Sequence, residues 1–221
     1  MNYKAIAERM GARVGATQEW VFQVLRSGII NGELPGGIQL KQDEISAALN
    51  VSHIPVREAL RRLEAQGLVT IHPNRGASVT KLTREDLLDM MEVRATLAVM
   101  QLRKGAPLLT EEDYRKLDEI IEAQRSAQDL FDCEELNYQF HGMFNAHAEN
   151  TFANLLMEMI HANTDRYMRA GFYSSPETRE VSLMQHQQIL AACRAGDYEK
   201  ASIMLREHIL DAKSYMPEEL K

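Results

Sequence analysis

The sequence lacks the features that mark a secreted or membrane-bound protein. Only two cysteines occur, Cys133 and Cys193, which are too few and too far apart in the chain for a disulfide scaffold. No apolar run approaches the roughly 18 residues that a membrane-spanning helix needs. The N-terminus mixes charged and small residues without an apolar core, so we do not expect a signal peptide. These absences predict a cytoplasmic protein that does not bind a membrane.

The chain of 221 residues also lacks a basic surplus, because 32 acidic residues outnumber 25 lysines and arginines and give a net charge of −7. This charge is unevenly distributed. Residues 1–80 contain 9 basic and 7 acidic side chains, a net charge of +2, and the remaining 16 basic and 25 acidic side chains carry −9. A weakly basic head on an acidic body is typical of a DNA-binding protein whose second domain has another task.

A turn that leads into a helix organises the basic head. Ser52 is placed to cap the N-terminus of this helix, and Pro55 falls in its first turn, where a missing N–H is tolerated. Apolar residues then recur at helical spacing and predict a buried stripe: Ala59, Leu60 and Leu63. Three basic residues lie off this stripe: Arg57, Arg61 and Arg62.

The residues on either side of this helix complete a known type of motif. A shorter amphipathic helix is predicted over residues 43–49, and Asn50 can adopt the left-handed conformation at its end. Two helices joined by such a turn form the outline of a helix-turn-helix. Downstream, residues 68–72 and 77–80 alternate around the turn-forming residues 73–76, which predicts a β-hairpin with a basic tip. Together these elements predict a winged helix-turn-helix.

The whole chain is predicted to be mostly α, with two domains. The winged helix-turn-helix domain covers residues 1–80, and residues 1–16, which show no strong periodicity, are expected to form a loose arm. Residues 81–221 are expected to form an all-α helical-bundle effector domain. Its helices are predicted near residues 83–104, 110–128, 131–149, 152–170, 176–195 and 197–215.

The first 80 residues resemble the DNA-binding domain of GntR-family transcription regulators, in particular the FadR-like branch. The resemblance is carried by the following residues: Gly32-Glu33-Leu34-Pro35-Gly36, Leu40, Val51-Ser52, Pro55-Val56-Arg57-Glu58-Ala59-Leu60, Leu63, Gly67-Leu68-Val69 and Arg75-Gly76. The helical remainder resembles the FCD-type effector-binding domain of that branch, so the resemblance covers nearly the whole chain. It implies a transcription regulator that binds a double-stranded DNA operator.

The resemblance also implies roles for single residues. Arg57 would contact the operator from the recognition helix, and Arg75-Gly76 would approach the minor groove. His53 stands where this family usually has arginine, and Asp43 stands where a basic residue is common, so the operator sequence should differ from the family pattern. The predicted DNA-binding residues are Ser52, His53, Pro55, Arg57, Arg61, Arg75 and Gly76. One half-site offers too few contacts for specific binding at cellular salt, so we expect a homodimer on a pseudo-palindromic operator.

Three histidines of the second domain are predicted to point into its core. His186 and His208 lie on apolar stripes of neighbouring helices, each 11 residues from the turn between them, so they stand level in an antiparallel pair. Asn137 and His141 lie one turn apart on another helix. Three inward histidines and a polar oxygen donor can bind one divalent metal and leave positions open for water or ligand. The alternative is that each histidine is a hydrogen-bonded core residue.

The family resemblance adds to the metal interpretation. Many FadR-like regulators have Asp-x-x-x-His, His and His as metal ligands in this domain, and these histidines correspond to His141, His186 and His208. The aspartate position is Asn137 here, which removes an anionic ligand and should weaken metal binding. The ligand set does not choose among zinc, nickel and manganese. His147 falls on the same stripe as His141 and is interpreted as a hydrogen-bonded core residue.

Arg94 continues an apolar helical series and is predicted to point inward, where a guanidinium needs an anionic partner. This partner is either an acid of the same domain or the carboxylate of an effector bound beside the metal.

We therefore predict a transcription regulator, not an enzyme, controlled by a small organic or sugar-acid carboxylate. A direct metal sensor is one alternative. A metalloenzyme fused to a DNA-binding head is another, although no nucleophile motif or general base is evident beside the histidines.

Overall fold

The computed structural model describes residues 1–11, 15–73, 76–128, 130–171 and 175–215. The chain divides into two compact units, Met1–Thr83 and Arg84–Lys221. Within the described ranges, every helix is too short or too polar to cross a membrane.

The N-terminal unit combines helices with a small antiparallel sheet. Its described elements are α1 (Tyr3–Arg9), α2 (Thr17–Ile30), β1 (Gln39–Leu40), α3 (Gln42–Leu49), α4 (His53–Ala65), β2 (Val69–His72) and β3 (Gly76–Val79). The predicted helix-turn-helix and wing are confirmed as α3, α4 and the β2–β3 hairpin. The sheet order is β1-β3-β2, with Val69 opposite Val79 and His72 opposite Gly76. Sequence analysis missed β1, whose two residues pair with β3.

The loose arm expected over residues 1–16 is a wrong prediction for its first part, because Tyr3–Arg9 forms α1. Tyr3 and Ile6 are one turn apart and only 2% and 1% exposed, so the helix is held by packing against α2. Gly28 of α2 permits this close approach, since a Cβ there would lie 2.7 Å from Ile6 Cδ1. A helix of two turns is too short to show a periodic pattern in the sequence.

The turn between α3 and α4 follows the prediction in its backbone and differs in its cap. Asn50 adopts φ 50° and ψ 54°, the predicted left-handed conformation that ends α3. Ser52 occupies the N-cap position of α4, but its side chain accepts no hydrogen bond from the helix. A capping side chain bonds to the N–H of the second or third helical residue, and the third residue is Pro55, which has none. The predicted side-chain cap is therefore wrong.

One face of α4 is fully buried in the core of the N-terminal unit. Val56, Ala59, Leu60 and Leu63 are each at most 1% exposed. They pack mainly against α2, where Leu25 and other apolar residues are also buried. The predicted apolar stripe is thus confirmed, and it fixes which face of α4 remains available to solvent.

The C-terminal unit is helical throughout its described residues. Its elements are α5 (Arg84–Gly105), α6 (Glu111–Ser126), α7 (Leu130–His147), α8 (Thr151–Gly171), α9 (Pro176–Arg194) and α10 (Tyr198–Asp211), with short 3-10 turns at Ala106–Leu108 and Ala212–Tyr215. These correspond to the six predicted helices. Thr110 and Asp113 form a capping box at the start of α6, and Asp197 accepts a hydrogen bond from Lys200 N at the start of α10.

The packing of these helices brings three of them to one point in the core. Helix α5 packs against α7, α8 and α10, and α9 packs against α6 and α10. Two contacts set the register of α7 and α9: Arg179 Nη1 lies 3.6 Å from Cys133 Sγ, and the ring centroids of Phe140 and His186 lie 4.1 Å apart. Both contacts join residues 46 positions apart, so α7 and α9 run side by side in the same direction. This arrangement carries the candidate metal ligands of α7, α9 and α10 toward each other.

Candidate functional site

The exposed face of α4 has a stripe of its own. With about 3.6 residues per turn, Ile54, Arg57 and Arg61 share the face opposite the buried stripe. The side chains of Arg57 and Arg61 are 54% and 62% exposed, and the residue Ile54 is 65% exposed. The Glu58 carboxylate lies 3.6 Å from Arg57 Nε and 3.5 Å from Arg61 Nη1. Such exposed ion pairs are weak, so both guanidinium groups can exchange this carboxylate for a phosphate or a base edge.

The two residues that depart from the family pattern contact each other. His53 Nδ1, at the start of α4, lies 3.5 Å from Asp43 Oδ1 in the first turn of α3. Both side chains are well exposed, at 61% and 92%. His53 and Asp43 therefore form one pair on the helix-turn-helix. Their spacing along the sequence did not indicate this contact.

The other predicted residues of the DNA-binding surface have different positions. Ser52 and Pro55 line an open depression together with Ile54 and the start of α2. Gly76 begins β3 with φ 81°, in the left-handed region that favours glycine. Arg75 lies outside the described residues. Arg62, by contrast, is tied to the fold, because its guanidinium donates to Glu19 and lies 4.0 Å from the centre of the Phe22 ring.

Three histidines meet in the core of the helical unit. His141 of α7, His186 of α9 and His208 of α10 each place a ring nitrogen within 4.8 Å of the others. His186 Nε2 and His208 Nε2 are 3.1 Å apart, and the centroid of the His141 ring lies 5.2 and 5.3 Å from those of the other two. They are 8%, 0% and 6% exposed. We call this set the histidine cluster.

Burial keeps the histidine cluster neutral. Desolvation lowers the pKa of His141 and His186 well below the ordinary value, and it lowers the pKa of His208 to about 3. The neighbouring imidazoles lower the pKa of His141 and His186 further, and the positive charge of Arg94 lowers the pKa of His141 and His208. A neutral imidazole has the lone pair that a metal ion requires.

A glutamine orients one member of the cluster. Gln185 Oε1 lies 2.8 Å from His208 Nδ1, and Gln185 Nε2 donates to Asp211 Oδ2 at 3.1 Å. The amide oxygen therefore accepts the Nδ1 proton of His208 and leaves the Nε2 lone pair directed at the cluster. Sequence analysis missed Gln185, because its role depends on where α10 brings His208.

One ring nitrogen of the cluster, Nδ1 of His186, has no hydrogen-bond partner among the described residues. His186 is a neutral ring with one proton, its Nδ1 is buried, and Nδ1 makes no hydrogen bond to the described residues. The proton therefore lies on Nε2, where the Nε2 of His208 can accept it. A divalent ion bound to both Nε2 atoms would need both lone pairs, so His186 would then have to carry its proton on Nδ1.

The face of α7 that carries His141 also contains two other buried polar residues. Asn137, one turn before His141, is 5% exposed, and Glu134, one turn before Asn137, is 7% exposed. Asn137 can offer a neutral amide oxygen to the cluster. Glu134 was missed from the sequence, although its spacing of three and seven residues from Asn137 and His141 was available as a signal.

A cavity of about 270 Å³ adjoins the histidine cluster. It is lined by His141 and by polar or aromatic side chains that include Arg94, Tyr138, Asn145, Asn154, Glu158 and His161. Arg94 is half-buried, so its predicted inward direction holds only in part. Arg94 and His141 thus belong to the wall of the same cavity.

His147 does not belong to the histidine cluster among the described residues. It is half-buried, and its Nε2 lies 3.3 Å from Asp113 Oδ2 in the capping box of α6. The predicted partner is present, but the side chain is 28% exposed, so the interpretation of His147 as a core residue is wrong. It provides a matched control on the same helix as His141.

Comparison with known proteins adds to this geometry. The model of the FCD domain matches residues 89–211, and the model of the bacterial regulatory proteins of the gntR family matches residues 17–79. The HTH-type transcriptional repressor RspR of Escherichia coli is 29% identical over 194 residues, which cover 86% of this chain and 84% of that protein. The HTH-type transcriptional repressor GlaR of the same species is 26% identical over 199 residues, or 86% and 90% of the two chains. The solved structure of E. coli McbR/YncC shares the fold, with a TM-score of 0.73 over 90% of this chain and 95% of that chain, at 22% identity.

Proposed function

The chain belongs to the GntR family of bacterial regulatory proteins, with an FCD domain, and from this premise we propose that it represses transcription under the control of a small carboxylate bound beside a divalent metal. DNA binding and transcription regulation follow from membership of this family. Repression is proposed because the relatives RspR and GlaR are repressors. The effector, the metal and the residues that bind them are proposed from the geometry of the helical unit.

The DNA-reading role is assigned to the exposed start and outer face of α4, with Ser52, His53, Pro55 and Arg57 at the start and Arg61 one turn later. Arg57 is the central reader, because it lies opposite the buried stripe and is held only weakly by its carboxylate partner Glu58. Ser52 is suited to a phosphate, since its hydroxyl does not cap the helix. Gly76 and Arg75 are assigned to the minor groove on the resemblance alone.

The metal site is assigned to His141, His186 and His208, with Asn137 as a fourth, oxygen ligand. Support comes from the convergence of three neutral imidazole nitrogens and from the orientation of His208 by Gln185. A set of imidazoles without a carboxylate suits zinc or nickel better than manganese, which prefers carboxylate and water oxygens. All four ligands are neutral, so a bound ion would supply nearly its full positive charge to the adjoining cavity.

The effector is proposed to be an organic or sugar acid, with its carboxylate directed at this charge. One observation carries the proposal: Arg94 and the ligand His141 line the same cavity. A cavity of about 270 Å³ suits a small acid better than a long acyl chain. The amides of Asn145 and Asn154 in its wall can bond to hydroxyl groups of such a ligand.

A thermal-shift screen tests the proposed effector. The protein is treated with chelator, then loaded with zinc or nickel, and screened against small hydroxy acids, sugar acids and amino acids. We expect one acid to raise the melting temperature of the loaded protein, and the same acid to have little effect after chelation or in the Arg94→Met variant. Acids that bind the chelated protein equally well would contradict the metal-linked site. Operator release by zinc or nickel alone would instead identify a direct metal sensor.

The protein is further proposed to act as a homodimer, through an apolar stripe on α8. Phe152, Leu155 and Met159 recur at helical spacing and are 72%, 54% and 36% exposed. The occupant is a second copy of the chain, because two recognition helices are needed to read two half-sites. Phe152→Asp should give a monomer in sedimentation experiments, and Ile203→Asp, at a residue 53% exposed on α10, should leave the dimer intact. A dimer that survives Phe152→Asp would exclude this surface.

A further inference from the structure

An isoleucine stands at the start of the recognition helix where a polar residue would be expected. Ile54 is the second residue of α4 and is 65% exposed. Among the large apolar side chains that the structure describes, Phe152 alone is more exposed. Ile54 contributes nothing to the core, since the buried stripe of α4 lies on the opposite side of the helix. Its exposure therefore needs another explanation.

The neighbours of Ile54 identify the surface to which it belongs. Arg57 and Arg61 follow at spacings of three and seven residues, and all three side chains share one face of α4. In helix-turn-helix proteins, the N-terminal residues of the recognition helix are those that reach base edges in the major groove. Ile54 is thus an apolar side chain within the cationic face that we assign to DNA.

The chemistry of the major groove offers such a side chain one partner. Isoleucine has no hydrogen-bonding group, so it cannot bind a phosphate or the donor and acceptor edges of the bases. The 5-methyl group of thymine is the apolar feature that distinguishes a base in this groove. We propose that Ile54 contacts a thymine methyl in each half-site and so specifies a thymine there. This inference rests on the proposed DNA-reading role of α4.

The test removes the methyl group and nothing else. Selection from random double-stranded DNA first gives the operator that the wild-type protein prefers. Each thymine of one half-site is then replaced in turn by deoxyuridine, which lacks the 5-methyl group but keeps the same hydrogen-bonding edge. Affinities are measured by fluorescence anisotropy at one fixed salt concentration, because phosphate contacts make all affinities salt-dependent.

We expect one thymine per half-site at which uracil weakens wild-type binding by about fourfold, the value of roughly one buried methyl group. The Ile54→Ser variant should bind the thymine and uracil operators equally well at that position. Ile54→Val, which keeps an apolar side chain, should retain part of the difference. Ile203→Ser changes an isoleucine of similar exposure on α10. This variant should keep the full difference in affinity between the thymine and uracil operators.

Three results would overturn the inference, and they differ in what else they overturn. An unchanged uracil effect in Ile54→Ser would show that another residue contacts the methyl group, while the DNA-reading role of α4 would stand. If uracil has no effect at any thymine of the wild-type operator, no thymine methyl is read and the inference is wrong, while the DNA-reading role of α4 would again stand. If selection enriches no DNA motif at all, the proposed DNA-reading role fails together with the inference.

Discussion

The side chains on the exposed face of α4 and those of the histidine cluster differ most in their exposure to solvent. Ile54, Arg57 and Arg61 are more than half exposed, on a helix whose other face forms the core. The histidines of the cluster are at most 8% exposed and form part of a core themselves. The proposed function and the stability therefore depend on different faces of α4, but on the same residues in the helical unit.

This difference indicates how each site can change. A substitution on the exposed face of α4 should alter DNA binding and leave the free energy of unfolding nearly constant. A substitution in the histidine cluster should alter ligand binding and the stability of the helical unit together, because buried polar groups depend on their partners. Four substitutions, two in the helical unit and two on the helix-turn-helix, test this distinction.

Removal of one cluster histidine should abolish metal binding. We expect His208→Ala to weaken zinc affinity by about 100-fold or more, since even outer partners of metal ligands contribute about 10–100-fold. The metal content after dialysis and isothermal titration measure this effect. His147→Ala serves as the control and should bind zinc normally, because its partner is Asp113. Equal zinc affinity in both variants would remove the histidine cluster from the proposal.

Loss of the central arginine of α4 should weaken specific binding without unfolding the protein. We expect Arg57→Ala to lose about 1–3 kcal/mol of discrimination between the operator and random DNA. The melting temperature should stay unchanged. Arg62→Ala is the reciprocal control: it should lower the melting temperature by breaking the contacts with Glu19 and Phe22, and keep the operator preference. A mobility-shift assay and thermal unfolding of both variants separate the two roles.

Restoring the acid at position 137 should change metal and effector binding in opposite directions. Asn137→Asp adds an anionic ligand, so it should tighten the metal. The same charge offsets the positive ion that attracts the effector carboxylate, and we expect about 5-fold weaker effector binding, at the lower end of typical coupling between sites. Titration of the effector into both metal-loaded proteins measures the change. Unchanged effector affinity would mean that the metal has only a structural role.

The smallest expected effect concerns the exposed pair on the helix-turn-helix. His53→Arg should move the operator preference toward the common family pattern, with little change in overall affinity. Asp43 lies 3.5 Å from the wild-type imidazole and should hold part of the new guanidinium away from DNA. The double variant His53→Arg with Asp43→Ser should therefore show the larger shift. Identical motifs selected by all three proteins would exclude position 53 as a reader.

For both sites, the sequence predicts which side chains are buried but not which contacts join two helices. On α4, the periodicity alone separates the buried Leu60 and Leu63 from the exposed Arg57. In a surface helix, the spacing of the apolar residues indicates which face packs against the core. The same logic places His141, His186 and His208 in the core. It cannot show that Gln185 orients His208 or that Asp43 meets His53, because each pair joins two helices whose relative placement is a tertiary property.

Short elements and local exceptions also limit how much of the structure can be predicted from the sequence. Helix α1 has only two turns and β1 only two residues, so neither shows a pattern that can be distinguished from a loop. The cap predicted for Ser52 is absent, and Pro55 removes one of the two N–H groups that it could have used. That exception could have been found in the sequence, since both residues are visible there.

Operator affinity in the presence and absence of metal and effector tests the central claim most directly. The claim is that a ligand held beside the histidine cluster controls DNA binding by the N-terminal unit. With the acid found in the thermal-shift screen, we expect the operator affinity of the zinc-loaded protein to change by about 5–150-fold, the usual range of coupling between sites. The same acid should have no effect on the chelated protein or on His208→Ala. An operator affinity that is identical under all these conditions would contradict the claim.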